Sequence, residues 1–252
     1  MAGPGAGLKV ATPRPPADID SRDRMIVALD RPTPEAAMEV VVRLGDVASF
    51  YKIGMELIYA GGLGLLERLV ARGKKVFLDT KLLDIDNSVA GAVRSLADSG
   101  AVMATVHAYT AAMRAAVAAK PAGSDLALLG VTVLTSMDDA DIAAAGYAGT
   151  VRDLVARRAA DARAAGIDGI VASATEAAEI RRVVGPDLLI VTPGIRPAGA
   201  EAEDQKRVAT PAAAIAAGAD YLVVGRAITS SDDPAGAAEN ILHGIEAGLA
   251  AR

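Results

Sequence analysis

Lys75-Val76-Phe77-Leu78-Asp79-Thr80-Lys81-Leu82-Leu83-Asp84 is the stretch on which the reading of the fold turns. Val76 to Leu78 are apolar without alternation, as in a strand covered on both faces. Charge then begins abruptly at Asp79. An apolar strand that empties into ionic residues has its chemistry at its C-terminal end, which is where parallel α/β barrels carry theirs.

The same unit recurs along the chain. Strand-like runs occupy Met25–Leu29, Phe50–Ile53, Lys75–Leu78, Val102–Val106, Ala127–Leu134, Gly169–Ala172, Leu188–Val191 and Tyr221–Val224, eight in all. Ala-rich amphipathic stretches follow each: Pro34–Leu44, Gly62–Arg72, Asn87–Ser99, Ala111–Ala119, Val151–Ala165, Thr175–Val184, Pro211–Ala217 and Pro234–Ala250. Thr33-Pro34 and Thr210-Pro211 are helix starts with Pro at the first helical position. Glycines such as Gly166 follow helices, where a left-handed cap is useful. Eight β-then-α units in unbroken series predict a single (β/α)8 barrel, a TIM barrel, over residues 23–252. A doubly wound open sheet is the structural alternative, but no Gly-x-Gly-x-x-Gly follows the first strand.

Composition agrees. The chain has 252 residues, the size of one such barrel. Hydrophobic residues make up 52% and aromatics only 3%, so Ala, Val, Leu and Ile must fill the core. The net charge of −5 and the absence of basic runs argue against nucleic acid or an anionic membrane as partner. Without cysteine, disulfides and thiolate metal sites are excluded, which fits a cytoplasmic location. Residues 1–22, rich in Gly, Pro and Ala, lack an apolar signal core and read as a flexible extension.

The polar residues gather at the expected strand ends: Asp30, Lys52, Asp79-Thr80-Lys81 with Asp84, His107, Thr135-Ser136, Thr192 to Pro197 with Arg196, and Gly225-Arg226. Singly, each has a plain explanation as helix cap, turn or solvated loop. Jointly, they place one polar rim on the barrel, and the strands' N-terminal ends show no matching set. Asp79 and Lys81, two apart, would point the same way on an extended strand. Lys52 on the neighbouring strand can bond Asp79, and Asp84 can add a further carboxylate. The result is an alternating array, Lys52–Asp79–Lys81–Asp84, able to hold an ammonium at a defined point. The opposite side reads as an anion clamp: Gly225 admits close approach of backbone N–H, and Arg226 and Arg196 supply cations. Two histidines, His107 and His243, and no spaced ligand cluster predict neither metal nor organic cofactor.

Over Arg24–Ala250 the chain resembles the orotidine 5′-monophosphate decarboxylases. The resemblance lies in Val27-Ala28-Leu29-Asp30, Lys52-Ile53-Gly54, Phe77-Leu78-Asp79-x-Lys81-x-x-Asp84-Ile85, Val106-His107-Ala108, Val131 to Met137, Thr192-Pro193-Gly194-Ile195-Arg196-Pro197 and Val224-Gly225-Arg226. It implies a cofactor-free decarboxylase that turns orotidine 5′-monophosphate into UMP, the last step of de novo pyrimidine synthesis, working as a homodimer. By position, Asp30 and Lys52 would hold ribose hydroxyls, Lys81 would protonate C6 and Asp79 would face the substrate carboxylate. Asp84, Ile85 and Ser88 would reach into the partner subunit's site. His107 belongs to a matched motif and is a further candidate substrate contact. Thr135 and Ser136 would contact the base, and Pro193 would line the pocket. Arg196, Gln205, Gly225 and Arg226 would hold the phosphate, with Ala198–Gln205 as a closing loop. Asp86 replaces the family's usual Pro, Ser88 its usual Thr, and Lys81-Leu82-Leu83-Asp84 its Lys-Phe-His-Asp.

Two rivals share part of this pattern. A Mg²⁺-dependent sugar-phosphate decarboxylase or aldolase would share Asp79-x-Lys81-x-x-Asp84, but such relatives carry an acid where Lys52 stands. A non-catalytic phosphate-ligand sensor would have no use for both Asp79 and Lys81.

Overall fold

The computed structural model describes residues 19–197 and 209–252. Eight parallel strands close into a barrel in chain order: β1 (Met25–Ala28), β2 (Phe50–Ile53), β3 (Lys75–Leu82), β4 (Met103–His107), β5 (Ala127–Val131), β6 (Gly169–Val171), β7 (Leu189–Thr192) and β8 (Tyr221–Val224). β8 returns to β1, with Met25 opposite Leu222 and Val27 opposite Val224.

Side-chain alternation builds two cores. One set of residues points into the barrel, including Ile26, Ala28, Phe50, Phe77, Met103, Leu129, Val191, Tyr221 and Val223. Phe50 and Tyr221 meet there edge to face, 6.0 Å between centroids. The alternate residues, such as Met25, Val27, Tyr51, Leu78, Ala104 and Leu222, point outward and are covered by the helices. Both faces are buried, which is why the strands read as unbroken apolar runs.

The principal helices are α1 (Pro34–Leu44), α3 (Leu63–Val70), α4 (Asp86–Asp98), α5 (Thr110–Ala119), α7 (Val151–Ala165), α8 (Ala174–Val184), α9 (Pro211–Ala216) and α11 (Pro234–Ala250). Thr33 and Thr210 cap as expected, accepting from the N–H groups of Ala36 and Ala213, both at 3.2 Å. Gly166 ends α7 with φ 76°, in the left-handed region.

Several expectations need correction. A short α2 (Met55–Leu57) and a π-helical turn over Ile58–Gly62 precede α3, so this helical region starts before Gly62. An additional α6 (Asp139–Ala144) opens on a capping box between Asp138 and Asp141. A short α10 (Arg226–Thr229) follows β8. β5 stops at Val131 rather than Leu134; just beyond it, Thr132 donates both its N–H, at 3.2 Å, and its hydroxyl, at 2.9 Å, to the Val171 carbonyl.

The N-terminal ends of the strands do carry a charged set, contrary to the sequence reading. Lys75 pairs with Asp23 at 2.6 Å, Lys120 with Asp168 at 2.8 Å and Arg181 with Asp220 at 2.5 Å. Asp168 and Asp220 each stand one residue before a strand and accept a backbone N–H from the preceding strand, Leu128 and Ile190, both at 2.8 Å. These charges close the bottom of the sheet. Ile19, in the described part of the expected extension, joins the barrel-interior cluster, while Asp20 and Arg22 are exposed.

Candidate active site

At the C-terminal ends of the strands a cavity of about 520 Å³ opens, within the range of small-molecule sites. Asp30, Lys52, Asp79 and Lys81 form one wall, Thr135 and Ser136 another, and Pro193, Arg196, Gly225 and Arg226 a third. Lys81 and Arg226 therefore face a common space.

The ionic wall is a chain of contacts. Lys52 Nζ lies 3.1 Å from Asp30 Oδ1 and 3.5 Å from Asp79 Oδ2. Lys81 Nζ lies 2.8 Å from the same Asp79 oxygen. Lys52 and Asp79 are nearly inaccessible, with side-chain exposures of 10% and 15%. Burial alone would push Lys52 down, but the carboxylates of Asp79 and Asp30 outweigh it and hold the ammonium above its ordinary value. Burial would likewise raise Asp79, yet Lys52 and Lys81 keep it below the usual carboxylate range. The site thus maintains fully charged groups next to the cavity. Gly54 leaves room for this pair: a Cβ there would lie 2.9 Å from both Asp30 Oδ1 and Lys52 Nζ.

Lys81 does not reach this position on a regular strand. The β3–β4 register advances from Leu78–Ala104 to Leu82–Val106, four steps on β3 against two on β4. Lys81 has φ 49°, the one positive value of a non-glycine among the described residues. Such a backbone costs about 1 to 3 kcal/mol and persists where its surroundings impose it. The expected geometry, two side chains on the same face of an extended strand, is replaced by a bulge that still brings Lys81 back to Asp79.

Four expected members, Asp84, Ile85, Ser88 and His107, stand outside the cavity. Asp84 forms no ion pair among the described residues; its Oδ1 accepts from the N–H of Ile85 at 2.6 Å. The array within one chain is therefore Asp30–Lys52–Asp79–Lys81. Ile85 is 73% exposed, and Ser88 is exposed in the first turn of α4. His107 stands on the same rim but does not line the cavity; its ring meets Tyr109 edge to face at 6.5 Å. Partial burial, with Lys81 and Arg158 nearby, lowers its pKa. Gln205 and the Ala198–Gln205 segment lie outside the described residues.

On the clamp side, Arg196 is nearly buried, and its Nη1 donates to the Ile195 carbonyl at 3.1 Å. Arg226 opens α10 directly after Gly225. Sequence reasoning missed Glu56 and Thr229, which also line the cavity. Glu56 lies four residues beyond Lys52 on a short helix with no clear signal of its own. Thr229 is carried in by the unforeseen α10, and its carbonyl accepts from Arg31, tying the loop after β1 to the end of α10.

Comparison with known proteins agrees with this arrangement. Residues 23–241 match the family model described as "Orotidine 5'-phosphate decarboxylase / HUMPS family". A relative from Methylobacterium sp. (strain 4-46), named orotidine 5′-phosphate decarboxylase, is 63% identical over 226 residues, 89% of this chain and 96% of its own length. One of the same name from Rhodopseudomonas palustris (strain BisB5) is 58% identical over 226 residues, covering 90% and 96%. The crystal structure of orotidine 5′-phosphate decarboxylase from Lactobacillus acidophilus superimposes with a TM-score of 0.77 at 36% identity, covering 87% of this chain and 97% of that one. The closed barrel, the ionic wall and a match running through nearly all of the chain place it in the orotidine 5′-phosphate decarboxylase / HUMPS family.

Proposed function

We propose that the chain is a carboxy-lyase that converts orotidine 5′-monophosphate to UMP and CO2, the last step of pyrimidine nucleotide synthesis, in the cytoplasm and without metal or organic cofactor. Curated relatives at 56–63% identity bear this activity in their names. The observation that carries the mechanism is the lysine ammonium of Lys81 held 2.8 Å from Asp79 in a cavity shared with Arg196 and Arg226.

The C6–carboxylate bond breaks and its electron pair stays on C6. Losing CO2 from this sp² carbon leaves a vinyl-type carbanion with no attached sink. A fixed ammonium stabilises that charge as it develops and then delivers an N–H proton to C6. Lys81 recovers its proton from solvent after release. Asp79 faces the leaving carboxylate, and Lys52 balances Asp79. Asp30 and Lys52 hold ribose hydroxyls, and Thr135, Ser136 and Pro193 shape the base pocket. His107 contributes from the rim outside the pocket wall. Arg196, Gly225 and Arg226, with Gln205, take the phosphate, whose binding energy fixes orientation at C6.

A metal-dependent sugar-phosphate reaction fits less well. Lys52 already stands between the carboxylates of Asp30 and Asp79, the place a divalent cation would need.

The working unit is a homodimer, in which Asp84, Ile85 and Ser88 complete the partner's site. Support comes from the exposure of Tyr59 in the π-helical turn and Leu63 at the start of α3, both following β2, and of Leu83 and Ile85 following β3. Apolar groups so placed favour a covering surface.

Following the loss of orotidylate absorbance in excess EDTA tests the activity. Turnover is expected to persist, and to vanish in Lys81→Ala while UMP still binds. Loss of activity in EDTA with recovery in Mg²⁺ would favour the metal-dependent reading.

A further inference from the structure

Thr105, in the middle of β4, is buried to 1% exposure and faces the β3 bulge. Its hydroxyl donates to Asp79 Oδ1 at 2.9 Å. The Thr105 hydroxyl oxygen in turn accepts the backbone N–H of Lys81 at 2.8 Å. Its carbonyl accepts the hydroxyl of Thr80 at 2.9 Å. One residue thus fastens three consecutive residues of the neighbouring strand where the ordinary ladder between the strands is interrupted.

The bonding is complementary. Asp79 has two carboxylate oxygens; Oδ2 takes the ammonium of Lys81, and Oδ1 takes Thr105. Without Thr105, Asp79 can turn about its χ2, and its common orientation to Lys52 and Lys81 is lost. The Lys81 N–H, left unpaired by the bulge, has Thr105 Oγ1 as its acceptor. That bond opposes relaxation of the positive φ at Lys81. A hydroxyl can serve both ends because it carries one donor and spare acceptor capacity.

We propose that Thr105 is a positioning residue for the decarboxylation, setting through a single hydroxyl both the Asp79 carboxylate and the backbone from which Lys81 projects. The inference rests on the reading of Lys81 and Asp79 as the reacting pair. Misplacing such a pair by a fraction of an ångström falls mainly on the chemical step and leaves the phosphate clamp on another wall of the cavity intact.

Three variants separate positioning from packing. Thr105→Val preserves shape and removes the hydroxyl, Thr105→Ser keeps the hydroxyl and loses a methyl, and Thr105→Ala loses both. In steady-state assays with orotidylate, kcat in Thr105→Val is expected to fall by about 10- to 100-fold while KM moves less than about threefold. Thr105→Ser is expected to restore most of kcat, and Thr105→Ala to resemble Thr105→Val. A Thr105→Val kcat within about twofold of wild type, or a Thr105→Ser as impaired as Thr105→Ala, overturns the proposal. If Thr105→Val does not fold, the Ser and Ala variants, which differ only in the hydroxyl, decide alone. Lys81→Ala is assayed alongside. Should it be inactive while Thr105→Val is fully active, only the positioning role fails; should it remain active, the reading of Lys81 fails.

Discussion

At the scale of the residue, charge placement around one carboxylate organises the site. Asp79 faces two ammonium groups and stays ionised although buried. Because its pKa in the folded chain lies below the unfolded value, its contribution to stability is present above about pH 4 and lost as pH falls through the folded value. The difference in melting temperature between wild type and Asp79→Asn is therefore expected to narrow as pH is lowered from 5 to about 3, read by thermal melts at each pH. A constant difference across that range would contradict the assignment. Gly54 makes a second residue-scale prediction. A methyl there meets both Asp30 and Lys52 at 2.9 Å and forces the pair apart. Gly54→Ala is expected to raise KM for orotidylate roughly tenfold or more, with a smaller loss of thermal stability, since the displaced groups are side-chain ends in the proposed ribose subsite.

Among the elements, the two ends of the strands divide labour. The C-terminal ends carry charges directed at a cavity, and the N-terminal ends carry charges consumed by the fold. Asp220 belongs to the second kind. It is 1% exposed, pairs with Arg181 and accepts the Ile190 N–H before β8 begins. Its removal leaves the buried Ile190 N–H without its acceptor and Arg181, which keeps bonds to the Gly185, Leu188 and Gly218 carbonyls, without its charge partner, at a cost of about 1 to 3 kcal/mol. Asp220→Ala is expected to lower the urea midpoint by a corresponding amount, while the folded fraction keeps wild-type KM because the cavity lies at the opposite end of the sheet. A stability change below about 1 kcal/mol would show the bottom cluster to be dispensable.

For the whole molecule, the proposed homodimer is open to a direct test. Asp84, Ile85 and Ser88 belong by resemblance to a site, yet in this chain they lie outside its cavity and are exposed. If they serve a second copy, two inactive variants should complement. Mixed dimers of Lys81→Ala and Asp84→Ala contain one site with both groups intact. Co-refolding the two is expected to regain activity that neither shows alone, and no recovery would argue against shared sites.

Sequence alone determined the barrel and most of its rim. Eight apolar runs, each followed by an amphipathic stretch, have few other ways to hide both faces of their strands. Strand ends then put Asp30, Lys52, Asp79, Lys81, Arg196 and Arg226 at one mouth, because every parallel strand points the same way. What only the tertiary structure decided depends on contacts between distant residues. The bulge at Lys81 and its hold by Thr105 arise from register between strands, which local periodicity does not encode. The exclusion of Asp84 from the array follows from where the chain turns after that bulge. Asp168 and Asp220 gain their roles from the N–H groups of Leu128 and Ile190, which lie far from them in the chain. Periodicity reports which face a residue presents; only packing reports what stands opposite.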